Sequence, residues 1–189
     1  MTDVLLFHHA QGLTDGVLGF AERLREAGHT VTTPDLYDGH TFTDLEEGIG
    51  YARQVGFGNL HERGVAVADR MPDDLVYAGM SLGVMPAQQL AQNRPGARGA
   101  LFLHACLPTS EFGSWPAGVP VQVHGMDADP FFGEEDLPYA QALLEETDRA
   151  ELFLYPGKEH LFSDSSLASY VPEAADLLTA RVLEFLAAL

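Results

Sequence analysis

The chain has 189 residues, 46% hydrophobic and 20% charged, which is the balance of a globular protein with a sizeable core. Its 28 acidic and 10 basic residues give a formal charge of −18 with no basic cluster, so nucleic acid is not expected as a partner. The single cysteine, Cys106, excludes an intrachain disulfide. The sequence also lacks a signal-peptide pattern and an apolar stretch of the roughly 20 residues that cross a membrane. We therefore expect a cytoplasmic protein without a membrane partner.

Six short apolar segments alternate with segments of helical periodicity. We predict strands at residues 4–8, 30–33, 75–78, 99–104, 119–124 and 151–155. We predict helices at residues 16–27, 59–70, 83–93, 137–147 and 172–188. This alternation favours the α/β class, with a mostly parallel sheet of about six strands and helices on both faces. No repeat or linker divides the chain, so we predict a single domain over residues 1–189, in which the irregular segment 37–58 borders a site.

The segment Gly79-Met80-Ser81-Leu82-Gly83 follows the third predicted strand and precedes a predicted helix. In this context, G-x-S-x-G is typical of a nucleophile elbow, a sharp turn that presents its serine at the end of the sheet. The turn pushes the central residue toward strained backbone angles, and the flanking glycines remove Cβ atoms that would clash. Ser81 is therefore the predicted nucleophile. Because G-x-S-x-G also occurs in ordinary strand-to-helix turns, other residues have to support this interpretation.

An acid and a base follow Ser81 in the order of the α/β-hydrolase triad. His160 lies in the loop after the sixth predicted strand and is the candidate that takes the serine proton. Two candidate acids, Asp127 and Asp129, follow the fifth strand, and a carboxylate there would hold the histidine tautomer and stabilise the imidazolium. Asp129 is favoured because Pro130 biases it toward an extended conformation. Asp127 is the alternative, unless it caps the following turn.

The loop after the first strand, residues 8–12, is expected to complete an oxyanion hole. One donor is the backbone N–H of Leu82, and the backbone N–H of Ala10 is the candidate for the second. Gly12 gives the backbone of this loop room to turn. The predicted substrate pocket is lined by residues from this loop and from the segment after Asp129: His9, Gln11 and Phe131.

Histidines near four strand ends raise the possibility of a metal site. His9, His104, His124 and His160 come from four different loops without a closely spaced ligand pair, so their spacing argues against zinc. We therefore expect no metal site. Cys106 follows the fourth strand without elbow glycines, and we interpret it as a small buried residue and not as a nucleophile.

The sequence resembles the dienelactone hydrolase family of α/β-hydrolases over nearly its whole length. The resemblance rests on the first strand and its loop, on the elbow, and on these further segments: Gly28-His29-Thr30-Val31, Pro34-Asp35-Leu36-Tyr37, His160-Leu161-Phe162 with Ser165-Ser166 and Tyr170, and the last helix with Arg181 and Phe185-Leu186. The resemblance implies hydrolysis of ester or lactone bonds without a cofactor by a Cys/Ser–Asp–His triad. By this resemblance, Ser81 would be the nucleophile, Asp129 the acid and His160 the base.

Three departures from the family pattern bear on the substrate. Serine stands at position 81 in place of the usual cysteine, which makes the reaction depend more strongly on His160 as base. His9 occupies the slot of a glutamate that holds the thiol in the founding enzymes. Ser163 and Asp164 occupy the stretch of an arginine that pairs with the dienelactone carboxylate. Because Asp164 would repel an anion, we expect a neutral ester, thioester or lactone of small to medium size.

Two other functions are weighed against an enzyme of this type. A binding or regulatory protein can keep the fold without turnover, and a displaced His160 or a pocket filled by Phe131, Phe132 or Trp115 would indicate that case. A serine protease or amidase is a weaker third candidate, since nothing indicates a groove for a peptide. For the hydrolase, the expected partner is a small-molecule substrate, and the expected assembly is a monomer or a homodimer.

Overall fold

The computed structural model describes all 189 residues and is built on one parallel six-stranded sheet. The strands are β1 (Asp3–Phe7), β2 (Thr30–Thr32), β3 (Val76–Met80), β4 (Gly99–Leu103), β5 (Val121–Met126) and β6 (Ala150–Tyr155). Their order across the sheet is β2-β1-β3-β4-β5-β6. The chain therefore moves outward from β1 to β2 and then crosses back to β3. The carboxyl ends of β1 and β3 form the switch point of the sheet, where ligands bind in open α/β folds.

Helices cover both faces of the sheet. They are α1 (Asp15–Glu26), α2 (Leu45–Val55), α3 (Phe57–Val67), α4 (Val84–Asn93), α5 (Leu137–Glu146) and α6 (Pro172–Ala187). Helix α1 begins after Thr14, whose side chain accepts a hydrogen bond from the Val17 N–H and so satisfies a free donor of the first turn. None of the six combines the length and the apolar character that a bilayer crossing requires.

The apolar strands divide their side chains between two cores. In β1, Leu5 and Phe7 belong to the core under α2–α5, whereas Val4 and Leu6 belong to the core under α1 and α6. Successive side chains of a strand point to opposite faces, so a strand covered on both faces has to be apolar throughout. This is the reason that the short apolar runs in the sequence correspond to strands of a doubly covered sheet. The predicted α/β-hydrolase fold, with about six strands, is confirmed.

Helix α2 is the main difference from the predicted elements, since residues 37–58 were expected to be irregular. The helix buries only Gly48 and Ala52, so it lacks the stripe of large apolar residues by which helices are recognised. A Cβ on Gly48 would lie 2.3 Å from the Ala10 carbonyl oxygen. The helix thus packs its backbone directly against the loop after β1, and it borders the site, as expected of this segment.

Candidate active site

Ser81 lies at the sharp turn between β3 and α4. Its φ of 47° falls in the left-handed region, which confirms the strained backbone expected of an elbow serine. The two elbow glycines are required by close contacts. A Cβ on Gly79 would lie 2.2 Å from the Gly83 carbonyl oxygen, and a Cβ on Gly83 would lie 2.4 Å from the Phe7 carbonyl oxygen. The elbow therefore packs against the end of β1, next to the loop that begins at His8.

We expect Gly83→Ala to lower the free energy of unfolding by about 1–3 kcal/mol, because the new methyl group overlaps the β1 backbone. Urea unfolding followed by circular dichroism measures this change. Gly58→Ala is the matched control, since its Cβ meets nothing within 4 Å on the surface of α3. Equal stability of the two variants would contradict the close approach of the elbow to β1.

A chain of hydrogen bonds joins Ser81, His160 and Asp129. His160 Nε2 lies 2.9 Å from Ser81 Oγ, and His160 Nδ1 lies 2.7 Å from Asp129 Oδ2. An ionised carboxylate only accepts hydrogen bonds, so Nδ1 carries the proton and Nε2 is free to accept the serine hydroxyl. The Asp129 side chain is fully buried, and its Oδ1 accepts a hydrogen bond from the Phe131 N–H at 2.9 Å. Both carboxylate oxygens of Asp129 are therefore held in place.

Asp127, the alternative acid, makes no hydrogen bond with His160. Its Oδ1 accepts a hydrogen bond from the Gly157 N–H at 3.1 Å, which ties the turn after β5 to the turn after β6. The residue is exposed, whereas Asp129 is buried. The hydrogen bond of Asp127 thus joins two loops and does not cap the turn that follows it, which was the role considered for it from the sequence.

The loop after β1 brings a backbone amide toward the elbow. The Ala10 N–H donates to no acceptor within the chain, while the next amide, that of Gln11, donates to His9 Nδ1 at 3.2 Å. Leu82 follows Ser81 directly and lines the same cavity as Ser81 and His160. These two amides are the donors that the sequence suggests for an oxyanion, and their role stays a prediction.

A cavity of about 200 Å³ lies directly beside Ser81 and His160. Phe131 lines it, as expected, and the centroid of its ring lies 4.8 Å from that of His160. Gln11 lies on the other side of His160, where it lines a groove of about 340 Å³. Phe132 and Trp115 are buried in the core and do not fill the cavity. The serine and the histidine thus both border this cavity.

His9 lies behind the wall of the cavity and does not line it, contrary to prediction. Its ring is fully buried, its Nε2 donates to Asp164 Oδ2 at 2.7 Å, and its Nδ1 accepts from the Gln11 N–H. The Asp164 carboxylate accepts three further hydrogen bonds, from Thr14 Oγ1 at 2.5 Å and from the N–H and Oγ of Ser166 at 2.8 and 2.6 Å. Asp164 therefore does not face substrate, and its expected repulsion of an anion there is wrong.

The hydrogen bonds on Asp164 stabilise its ionised form in the folded protein. Burial opposes ionisation, but the donors on His9, Ser166 and Thr14 outweigh it and lower the pKa of Asp164 to about 2. An Asp in an unfolded chain has a pKa of about 3.9, so the folded state binds the proton less tightly. The stability that this carboxylate contributes is therefore present above about pH 4 and is lost as the pH falls toward 2.

We expect Asp164→Ala to lower the free energy of unfolding at neutral pH by about 3 kcal/mol, because several buried donors lose their acceptor. Chemical denaturation measures the difference. Asp176→Ala is the control, since Asp176 forms a solvent-exposed ion pair with Arg23, and we expect it to cost less than about 1 kcal/mol. Equal losses in the two variants would show that the buried network does not stabilise the fold.

Each remaining histidine near a strand end has its own protein partner. His8 donates from Nδ1 to the His9 carbonyl at 2.8 Å, and burial lowers its pKa to about 4. His124 contacts Tyr155 Oη at 2.9 Å and Gln122 Oε1 at 3.1 Å, and burial lowers its pKa to about 3. These side chains are neutral hydrogen-bonding groups that join neighbouring strands and loops.

Cys106 is buried beside the cavity, and its environment opposes the thiolate. Burial raises the pKa of the thiol well above its ordinary value, with a further increase from the carboxylate of Asp136. The Cys106 Sγ lies 3.7 Å from the carbonyl oxygen of Leu107. The expectation of a small buried residue is confirmed.

Asp136 and His104 are polar residues of the cavity that the sequence analysis did not place there. Asp136 follows Glu134 and Glu135, and such a run of acidic residues is typical of a solvated surface, but Asp136 is partly buried and lines the cavity with Ser81. His104 lines the same cavity and has a φ of 67°, in the left-handed region. A left-handed backbone at a bulky residue depends on tertiary packing, and no local sequence pattern indicates it. The position of Asp136 immediately before Leu137-Pro138 was a signal for a helix start, but not for a cavity wall.

Comparisons with known proteins agree with this architecture. A promiscuous dienelactone hydrolase-like phosphotriesterase from metagenomic libraries superimposes with a TM-score of 0.76 at 17% identity, covering 100% of this chain and 87% of the other. Esterase 2 of Thermogutta terrifontis superimposes with a TM-score of 0.68 at 15% identity, covering 99% of this chain and 83% of the other. At these identities the two structures establish the fold alone.

The amino-acid sequence was also matched to a curated relative and to a family model. The pimeloyl-[acyl-carrier protein] methyl ester esterase of Cronobacter sakazakii is 35% identical over 79 residues, which make up 40% of this chain. The match spans only 30% of the length of that esterase. The model of the dienelactone hydrolase family, in contrast, matches residues 1–189, the whole of the chain. The protein therefore belongs to the dienelactone hydrolase family.

Proposed function

We propose that this protein is a serine hydrolase that cleaves a small ester, thioester or lactone through an acyl-enzyme intermediate. In this proposal the 189 residues form one catalytic domain, with Ser81 as nucleophile, His160 as base and Asp129 as the acid that orients the histidine. The observation that carries it is the hydrogen-bond chain from Asp129 Oδ2 through His160 to Ser81 Oγ, with distances of 2.7 and 2.9 Å, beside an open cavity.

The first half-reaction forms the acyl-enzyme. His160 Nε2 accepts the hydroxyl proton while Ser81 Oγ bonds to the carbonyl carbon, and the carbonyl π electrons move onto the oxygen. The N–H groups of Leu82 and Ala10 donate to the resulting oxyanion. When the carbonyl re-forms, the bond to the leaving oxygen or sulfur breaks and His160 donates its proton to the leaving group. Asp129 stays ionised and stabilises the imidazolium throughout.

Water completes the reaction by the same groups. A water molecule gives a proton to His160 Nε2 as its oxygen bonds to the acyl carbon, and a second oxyanion forms in the same hole. The bond to Ser81 Oγ then breaks, the proton passes from His160 to the serine, and a carboxylic acid leaves. None of these steps needs an electron acceptor or a cofactor.

The geometry favours this enzyme over a silent binding protein of the same fold. Either a displaced His160 or an aromatic side chain filling the cavity would support the binding protein. Instead, His160 lies within hydrogen-bond distance of both partners, and Phe132 and Trp115 lie in the core. A side chain that only packs does not need two aligned hydrogen bonds and an adjacent cavity.

A fluorophosphonate probe tests the proposal, because it phosphonylates serines that a neighbouring base activates. Intact mass spectrometry is expected to detect a single adduct on the wild type and none on Ser81→Ala or His160→Ala. Ser114→Ala is the matched control, since Ser114 is an exposed serine outside the cavity, and it is expected to label like the wild type. An unlabelled wild type, or an adduct that persists on Ser81→Ala, would contradict the proposal.

A further inference from the structure

The cavity beside Ser81 has negative charge on its wall and no positive charge to balance it. Asp136 and Glu135 line it together with apolar side chains, and neither lysine nor arginine is among its lining residues. Asp136 Oδ2 accepts a hydrogen bond from the Cys106 N–H at 3.1 Å, and Oδ1 accepts none from the protein. One carboxylate oxygen is thus anchored and the other is available to a ligand.

The ionisation of Asp136 is compatible with this role at neutral pH. Burial raises the pKa of Asp136 to about 6, and the nearby carboxylate of Glu135 adds to the increase, while the Cys106 N–H opposes it. Most molecules therefore carry the charged form above pH 7. A partly desolvated carboxylate of this kind gains more from a hydrogen-bond donor or a cation than an exposed one does.

His104 lines the same cavity with a neutral ring. Its ring is 99% buried, and Nε2 lies 2.7 Å from Ser163 Oγ, but Nδ1 has no hydrogen-bond partner. Burial holds its pKa well below the ordinary value, so the ring is neutral. Nδ1 is itself buried, so His104 adds no positive charge that could balance Asp136 and Glu135.

The position of His160 indicates which part of a substrate enters the cavity. His160 gives its proton to the leaving group, and the open groove of about 340 Å³ lies beyond it on the side of Gln11. His160 also lines the cavity, but of the two spaces only the cavity adjoins Ser81, to which the acyl carbon is attached, together with Leu82 and Met85. Its volume of about 200 Å³ is smaller than that of the groove. A short acyl chain fits this volume.

We propose that the cavity selects short acyl groups that carry a hydrogen-bond donor or a positive charge, and that Asp136 is the specificity-determining residue. This inference rests on the proposed hydrolase function. An acyl chain with an ammonium or hydroxyl group would donate a hydrogen bond to Asp136 Oδ1. An acyl chain that ends in a carboxylate would meet Asp136 and Glu135 with no cation to compensate, and it would be rejected.

Three p-nitrophenyl esters test the proposal, those of butyrate, β-alanine and succinate. The butyryl and β-alanyl chains differ only by a terminal methyl or ammonium group, and the succinyl chain ends in a carboxylate. After subtraction of the spontaneous rate, we expect wild-type kcat/KM for the β-alanyl ester to exceed that for the butyryl ester about tenfold, and that for the succinyl ester to lie about tenfold below it.

Asp136→Asn is the decisive variant, because its amide oxygen can still accept from the Cys106 N–H while the charge is removed. We expect the β-alanyl advantage to disappear and the succinyl penalty to shrink. Glu134→Gln is the matched control, since Glu134 lies in the same turn but is exposed and does not line the cavity, and its three ratios should equal those of the wild type.

The outcomes separate the inference from the function on which it rests. Hydrolysis of all three esters without charge preference, or a preference for the succinyl ester, would overturn the inference and leave a labelled Ser81 as support for the hydrolase. Unchanged ratios in Asp136→Asn would overturn the role of Asp136. Should this variant fail to fold, the wild-type order of the three esters still decides the selectivity. An unlabelled protein that hydrolyses none of them would overturn both proposals.

Discussion

Replacing Ser81 with alanine is expected to lower kcat for ester hydrolysis by about 10⁵-fold, because the acyl-enzyme no longer forms. The residual rate would come from the oxyanion donors and from substrate binding. A stopped assay with p-nitrophenyl butyrate measures the loss, and circular dichroism checks that the fold is retained. The methyl group of alanine leaves the elbow glycines and their contacts unchanged, so stability should change little.

Non-additivity provides a sharper test of the same prediction. Residues that act as one unit lose their contribution together, so the Ser81→Ala/His160→Ala double variant should be about as slow as either single variant. If the two losses instead multiplied, Ser81 and His160 would be acting independently. Wild-type turnover in Ser81→Ala would show that another group is the nucleophile.

Asp129→Asn is expected to lower kcat by about 10⁴-fold without unfolding the protein. The Phe131 N–H donates to Oδ1, so the asparagine should keep its amide oxygen on that side and turn its amino group toward His160. His160 Nδ1 would then have to accept a hydrogen bond, and Nε2 would carry the proton. A protonated Nε2 cannot accept the proton of Ser81.

Asp127→Asn is the matched control for this substitution. The two aspartates lie two residues apart in the same turn, but Asp127 is exposed and accepts only from the Gly157 N–H. Its asparagine variant can keep that hydrogen bond and should retain wild-type kcat. A large loss in Asp127→Asn with little change in Asp129→Asn would reverse the choice of acid.

The elbow and the order of strands and helices were predictable because they depend on local chemistry. Alternating apolar segments indicate a sheet covered on both faces, and the two glycines around Ser81 mark a turn too tight for a Cβ. Helix α2 was not predictable, since glycine and alanine are its buried residues and its packing partner is the distant loop at Ala10. The apolar periodicity that reveals other helices is absent there.

The roles of the side chains were likewise predictable only where they depend on local sequence. Sequence order and strand ends identified Ser81 and His160 as candidates, whereas Asp127 and Asp129 differ in direction, which the backbone around the turn decides. His9 and Asp164 were misplaced for a related reason. They are separated by 155 residues and meet as a buried pair only after β1 and the segment after β6 come together. Because Asp164 is buried, its carboxylate accepts hydrogen bonds inside the protein and does not face the substrate.

By itself, the sequence determined the fold class, the family and the elbow, because these follow from short-range patterns that local sterics and strand burial impose. Only the tertiary structure decided which acid faces His160, which histidines are neutral packing groups, and that Asp136 and His104 line the cavity beside Ser81. Those properties depend on the direction and desolvation of side chains. Both are set by segments that are far apart in the chain and adjacent at the carboxyl edge of the sheet.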